Sequence, residues 1–335
     1  MPASKSVTLN TGAEMPTVGL GTWKSKPGAV EHAVEYALRN GYKSVDTAAA
    51  YQNESEVGLG IKNSGVPRDS FFLTTKLDNP DHLVAEQALD QSLKNLGTTY
   101  LDLWLMHWPA PMTAGSVAPV KTQIPLSENA HANHRSTGST PGRQCPRSTR
   151  HTLRSSAPSA SPTSPSSTSS VFSTPRSKIP RTSSSPPSTR SSSTRAFCPL
   201  LSFSQSDTWS SSCPQQDVVD FCRERNIVVT AYSPLGSDNS PLLTNEIVKK
   251  IAAKHNVQPA NILVSLQANR PGVNVLPKSV TNSRILSNST IIDLTQEEID
   301  ELQSINNTHH FRACHPSWTG WGSLGFPDCL DADKE

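Results

Sequence analysis

Along residues 5–110 the spacing of apolar side chains switches repeatedly between two periods. In "KPGAVEHAVEYALRNGY" they recur at Val30, Ala33, Val34, Ala37 and Leu38, one face of a helix, with Pro27 placed for its first turn. The stretches "YKSVDTA", "SFFLTTKL" and "LDLWLMHWP" are instead short, nearly continuous apolar runs, as in strands buried on both faces. Between them, "NESEVGLGIKNSG" and "DHLVAEQALDQSLKNLG" return to helical spacing. Ahead of all these, "SVTLNTGAEMPTVGLGTW" predicts a hairpin turning at Gly12 and a first strand. Strictly alternating strands and helices predict a parallel sheet, open or closed into a barrel.

The alternation stops near residue 111 and resumes near 214. There "CPQQDVVDFCRERN" reads as a helix and "IVVTAYSPLGS" as a strand entering a polar loop. Next, "LLTNEIVKKIAAKHNVQPANILVSLQANR" reads as two helices broken near Val257 and Pro259. After the strand and turn of "VNVLPKSVTNSRILSN" comes "TQEEIDELQSI", a helix with Thr295 as N-cap and acidic residues in its first turn. Three regions result: 1–111 and 214–335, both globular in pattern, and 112–213, dominated by Ser, Thr, Pro and Arg. From 129 to 206 there is no Asp or Glu at all, a low-complexity signature that reads as disordered.

Composition narrows the partners. A net charge of +2 with 17% charged residues predicts neither a nucleic-acid nor a membrane partner. The N-terminus lacks a signal-peptide pattern, and no stretch approaches the roughly 18 apolar residues of a membrane span. Six cysteines without a CxxC pair or regular spacing predict unpaired thiols and a cytoplasmic protein.

Asp46, Lys76 and His107 each stand at the C-terminal end of an apolar strand, and Tyr51 follows Asp46 in the next loop. In a barrel those ends share the face on which active sites are built. A lone strand-end Asp is ordinarily a helix cap, but an ammonium on a buried strand needs a counter-charge, and Asp46 is the obvious one.

These residues lie in "GLGTW", "NGYKSVDTAAAYQNESEVG", "TTKL" and "LDLWLMHWP", where the chain resembles the aldo-keto reductase family. The resemblance implies an (α/β)8 TIM barrel that reduces an aldehyde or ketone with NADP(H), with Asp46, Tyr51, Lys76 and His107 as catalytic tetrad. Tyr51 would donate the proton. A free phenol has a pKa near 10, and the Lys76 ammonium, held by Asp46, favours the phenolate. His107 would orient the substrate carbonyl. The resemblance further assigns Gly21, Thr22 and Trp23 to the cofactor groove, Tyr232 to stacking on the nicotinamide, and Ser233, Leu235 and Ser237 to a loop over the pyrophosphate. "PKSVTNSR" matches the pocket for the adenosine 2′-phosphate, with Lys278, Ser279, Val280, Thr281 and Arg284. Asn288 keeps its place on the adenine side, whereas Ser287 stands where many members carry an acid. Trp23, Trp108, Trp318 and Trp321 are the candidate substrate walls. No metal is implied, and a monomer is expected.

The family needs two more strands in the middle, one ending in "GVSNF" and one in "NQ.E.HP". A reading frame one base earlier supplies both. With Pro158 written CCA, "SASPTSP" (159–165) written TCG GCG TCT CCA ACT TCT CC reads as "IGVSNFS". In the same frame "PPSTRSSSTR" (186–195) yields "PAVNQIELHP", and "TPGRQCPRST" (140–149) permits "TWKAMPKVY". Only third bases are free to choose, so two bases of each hidden codon are fixed beforehand. The middle therefore reads as mistranslated, and the barrel is incomplete as printed. One rival takes the middle at face value, as a Ser/Arg-rich RNA-binding or phosphorylated segment. It lacks regular RS dipeptides and interleaved aromatics. A second rival is a non-catalytic or misfolded product.

Peptides from the native protein, sequenced by mass spectrometry, are expected to include a stretch like "IGVSNF" and none like "SASPTSP". A Ser-rich peptide from residues 155–170 would overturn the frame reading.

Overall fold

The computed structural model describes residues 5–109, Met112, 215–237 and 241–308. Nearly all of the low-complexity region, together with Trp318 and Trp321, lies outside the described residues.

A hairpin opens the chain, β1 (Ser6–Thr8) pairing antiparallel with β2 (Glu14–Pro16) around Gly12, whose φ of 85° is the left-handed region that glycine enters freely. Four parallel strands follow: β3 (Leu20–Gly21), β4 (Ser44–Asp46), β5 (Phe72–Leu77) and β6 (Leu103–Met106), hydrogen-bonded in that order. After the gap come β7 (Val229–Tyr232) and β8 (Val273–Leu276), parallel to each other. Parallel bridges Val18–Val275 and Gly21–Lys278 join β8 to β3. The parallel strands thus run β7-β8-β3-β4-β5-β6 around a curved wall. Among the described residues nothing pairs with the outer edge of β6 or of β7. The N-terminal hairpin touches both ends of this row of strands. Leu9 and Met15 share one apolar cluster with Phe72, Leu103 and Leu105 on one side and Val228 on the other.

Helices α1 (Ala29–Arg39), α2 (Glu54–Ser64) and α3 (Ala85–Leu96) cover the first strands, and the five predicted positions of the α1 stripe are all buried. The α1 start differs from expectation. Gly28, at φ 76°, is the N-cap, so Pro27 precedes the helix instead of lying in its first turn. Two glycines let α2 wedge between its neighbours. A Cβ on Gly58 would meet the Asn95 carbonyl oxygen at 2.6 Å, and one on Gly60 would meet Val34 Cβ at 2.9 Å.

In the C-terminal part, α4 (Gln216–Glu224) precedes β7, and α5 (Glu246–Lys254) and α6 (Pro259–Ala268) are separate helices, broken where Val257 and Pro259 predicted. Then α7 (Asn282–Asn288), α8 (Gln296–Gln303) and the short α9 (Ile305–Thr308) complete the described chain. Thr295 caps α8 as expected, in a reciprocal box with Glu298. Tyr42, just ahead of β4, donates from its buried hydroxyl to the Ile285 carbonyl 2.9 Å away, tying α7 to the first half of the wall.

Candidate active site

Parallel strands deliver their C-terminal ends to one face, and the alternation of side chains along a strand selects which residues look into the interior. Asp46 ends β4, Lys76 is the penultimate residue of β5, and His107 follows β6, its amide donating to the Leu77 carbonyl at 3.0 Å. Tyr51 is carried by a 3₁₀ turn, Ala49–Tyr51, between β4 and α2.

The four side chains converge. Lys76 Nζ lies 2.5 Å from Asp46 Oδ1, with both side chains buried. The same ammonium donates to the Thr47 carbonyl at 2.8 Å and to the Tyr51 hydroxyl at 3.5 Å. It also sits 5.1 Å from the centroid of the Tyr51 ring. The Tyr51 and His107 rings meet edge to face, their centroids 5.4 Å apart at 77°. Burial works against the charge on Lys76, but the Asp46 carboxylate and the Tyr51 oxygen hold its pKa above the ordinary lysine value. Burial raises the Asp46 carboxyl against the opposing pull of Lys76. Burial first, and the Lys76 charge second, push His107 down to about 3, so its ring is neutral at physiological pH. Trp108 is buried beside the site and Trp23 half-buried.

A second group of residues lies where β3 and β8 end. Gly21 donates to the Pro277 carbonyl at 3.1 Å, and a Cβ there would lie 3.3 Å from the Leu276 carbonyl oxygen, so glycine keeps the two loops close. Lys278 Nζ reaches the Lys24 carbonyl at 3.1 Å. Lys278, Thr281 and Arg284 are exposed around half-buried Ser279, and residues 278–284 contain no acid. Exposed cations with hydroxyl and amide donors form a donor set that fits a phosphate monoester. Val280 is exposed and Asn288 buried. Ser287 donates to Asn261 Oδ1 at 3.0 Å, on the N-terminal cap of α6, so this hydroxyl is committed within the protein. Tyr232 ends β7 half-buried, followed by Ser233, Leu235 and Ser237. Ser237 donates to the Ser233 hydroxyl at 2.9 Å, and both serines have left-handed backbones.

Residues 17–132 match the Aldo/keto reductase family. The chain is also 38% identical over 326 residues to glycerol 2-dehydrogenase (NADP(+)) of Saccharomyces cerevisiae, a match covering 95% of this chain and 96% of that protein. The chain belongs to the aldo/keto reductase family. Aldehyde reductase YPR1 of the same yeast is 36% identical across 92% of both chains. The crystal structure of an aldo-keto reductase from a Medee basin deep-sea metagenome library superimposes with TM-score 0.60 at 28% identity, over 90% of this chain and 95% of that one. Aldose reductase from Schistosoma japonicum, at 24% identity and TM-score 0.64, shares the fold. The family fold is the (α/β)8 barrel, and the six parallel strands described here form part of its wall.

Four residues that sequence reasoning missed, Thr47, Asn53, Glu54 and Thr75, lie just behind the tetrad together with Thr22, which it had assigned to the cofactor groove. Asn53 and Glu54 are buried, as are Thr22, Thr47 and Thr75, and all five are hydrogen-bonded around the strand ends. The available signal was "NE" immediately after "YQ", two polar residues opening a helix whose partners only the fold reveals. Among the described residues no cluster of His, Cys, Asp or Glu could hold a metal ion. Nor is any described helix long and apolar enough to cross a membrane.

Proposed function

We propose that this aldo-keto reductase reduces a small aldehyde or ketone with NADPH, with Tyr51 as the proton donor. The observation that carries the reading is the Lys76 ammonium, which touches Asp46, the Thr47 carbonyl and the Tyr51 hydroxyl at once. Of the groups on this face, Tyr51 alone suits proton donation. Lys76 is buried and committed to a carboxylate and a carbonyl, and His107 is neutral. An ammonium beside the phenol oxygen stabilises the phenolate left after transfer. The neutral His107 ring, edge-on to Tyr51, has one N–H with which to hold the carbonyl oxygen near the phenol. The bound cofactor supplies the hydride.

Lys278, Ser279, Thr281 and Arg284 would hold the 2′-phosphate, and Gly21, Thr22 and Trp23 would line the groove leading to the tetrad. Tyr232 would stack on the nicotinamide, with Ser233, Leu235 and Ser237 over the pyrophosphate and Asn288 at the adenine. Trp23 and Trp108 would wall the substrate, joined by Trp318 and Trp321, which lie outside the described residues. The yeast relatives' names, glycerol 2-dehydrogenase (NADP(+)) and aldehyde reductase, favour small polyols and aldehydes as the two sides of the reaction. We further propose that the enzyme is a cytoplasmic monomer. Residues 112–213 stand, in this reading, where two barrel strands and their helices belong, the true strands being those of the earlier frame.

Two substitutions, made in the protein expressed from its natural transcript, test the reading. Tyr51→Phe removes the proton donor and is expected to slow carbonyl reduction by at least about 10²-fold with NADPH binding nearly unchanged. Near-normal turnover would show that the acid lies elsewhere. Arg284→Ala is expected to weaken NADPH by roughly 10- to 150-fold, the loss of one charge-assisted bond, and NADH hardly at all. Equal losses for both cofactors, read by fluorescence titration, would remove Arg284 from the phosphate.

A further inference from the structure

We infer that Asn53 and Glu54 are positioning residues that set the Tyr51 hydroxyl beside Lys76, a role that rests on Tyr51 being the proton donor. Tyr51 is not on a strand. It hangs on a single 3₁₀ turn, and Gln52 after it adopts a left-handed backbone at φ 56°, so the turn by itself does not define where the phenol points. The next two residues anchor it in opposite directions.

Asn53 faces the strand ends to one side. Its Nδ2 donates to the Thr22 carbonyl at 3.0 Å, and its Oδ1 accepts from the Thr47 hydroxyl at 3.4 Å. Thr22 in turn donates to the Asp46 carbonyl at 3.1 Å, and the Thr47 carbonyl accepts from Lys76. A polar circuit therefore runs Asp46, Thr22, Asn53, Thr47, Lys76 and, through the ion pair, back to Asp46. Tyr51 stands beside it, two residues from Asn53.

Glu54 faces the other way. Its Oε1 accepts from the Thr75 hydroxyl at 2.7 Å, and its Oε2 accepts from Asn95 Nδ2 at 3.2 Å. Thr75 and Lys76 are neighbours on β5, so one points to the helix layer while the other points to the site. Glu54 thus locks the start of α2, three residues after Tyr51, to the very strand that carries Lys76. The glycine contact at Gly58 holds α2 against α3 one turn further on, which keeps Asn95 within reach. A carboxylate this buried would be costly without such partners, and its two oxygens are both used.

The test reads Tyr51 directly. In full-length protein from the natural transcript, without cofactor, ultraviolet difference titration against Tyr51→Phe isolates the ionisation of this one phenol. Glu54→Ala and Thr75→Val are expected to shift that transition to higher pH, because the phenol drifts from the ammonium, and to lower kcat about 10- to 100-fold with a smaller change in KM. Thr75→Val preserves volume and removes one hydroxyl, so it retains the fold should the alanine variant not. Glu54→Gln keeps an acceptor for Thr75 and, with the Asn95 amide rotated, a partner there, and is expected to retain the Tyr51 transition and most turnover. Lower melting temperatures with an unchanged Tyr51 transition and kcat would reduce the pair to structural support and overturn the inference. Glu54→Gln losing as much as Glu54→Ala would place the effect in charge and overturn it equally. If Tyr51→Phe stays active while the titration shifts as expected, the proton-donor assignment fails and the positioning stands.

Discussion

A buried ammonium and a buried carboxylate, 2.5 Å apart, hold the interior of this barrel to one arrangement. Neither charge is tolerable alone away from water, so β4 and β5 must present Asp46 and Lys76 to each other in one register. The parallel ladder supplies that register by pairing Asp46 with Thr74, which brings Lys76, two residues on, to the same interior face. The third contact of the ammonium is the Tyr51 hydroxyl, and its charge adds to the burial that keeps the His107 ring neutral. One cation thereby organises the strand ends, the phenol and the imidazole. The polar circuit through Thr22, Asn53 and Thr47 spreads the same constraint to β3 and the start of α2.

Much of this was legible from residues alone, for reasons that differ by element. The α1 stripe could be read because its period leaves no other face to bury, and the break between α5 and α6 because Pro259 has no amide to continue a helix. Asp46, Lys76 and His107 stood out together, because each ends a successive apolar strand and a lysine there needs the counter-charge that Asp46 supplies. Pro27 misled by two residues, since Gly28 can adopt the left-handed cap that starts α1 after it. Asn53, Glu54 and Thr75 were not legible. Apart from Thr47, six residues before Asn53, their partners are 21 to 41 residues away in sequence, and nothing in a helix start announces which strand it will clasp.

The middle of the chain is a different kind of problem. Composition marks it as foreign to a barrel, and the family match ends at residue 132, close to where acidic residues cease. Yet the similarity to the yeast glycerol 2-dehydrogenase spans nearly all of both chains, so the segment occupies the family's length instead of extending it. A replaced stretch, not an added one, is what the proposed frame shift would leave.

The claim that the Asp46–Lys76 pair is the keystone is tested most directly by a double-mutant cycle on unfolding in urea. Asp46→Asn leaves an unpaired buried ammonium, and Lys76→Met leaves an unpaired buried carboxylate. Each is expected to cost about 3–5 kcal/mol. The double variant removes both charges, and its cost should fall well below the sum of the two and below that of Asp46→Asn alone. Costs that simply add, with the double variant the least stable of the three, would contradict the account.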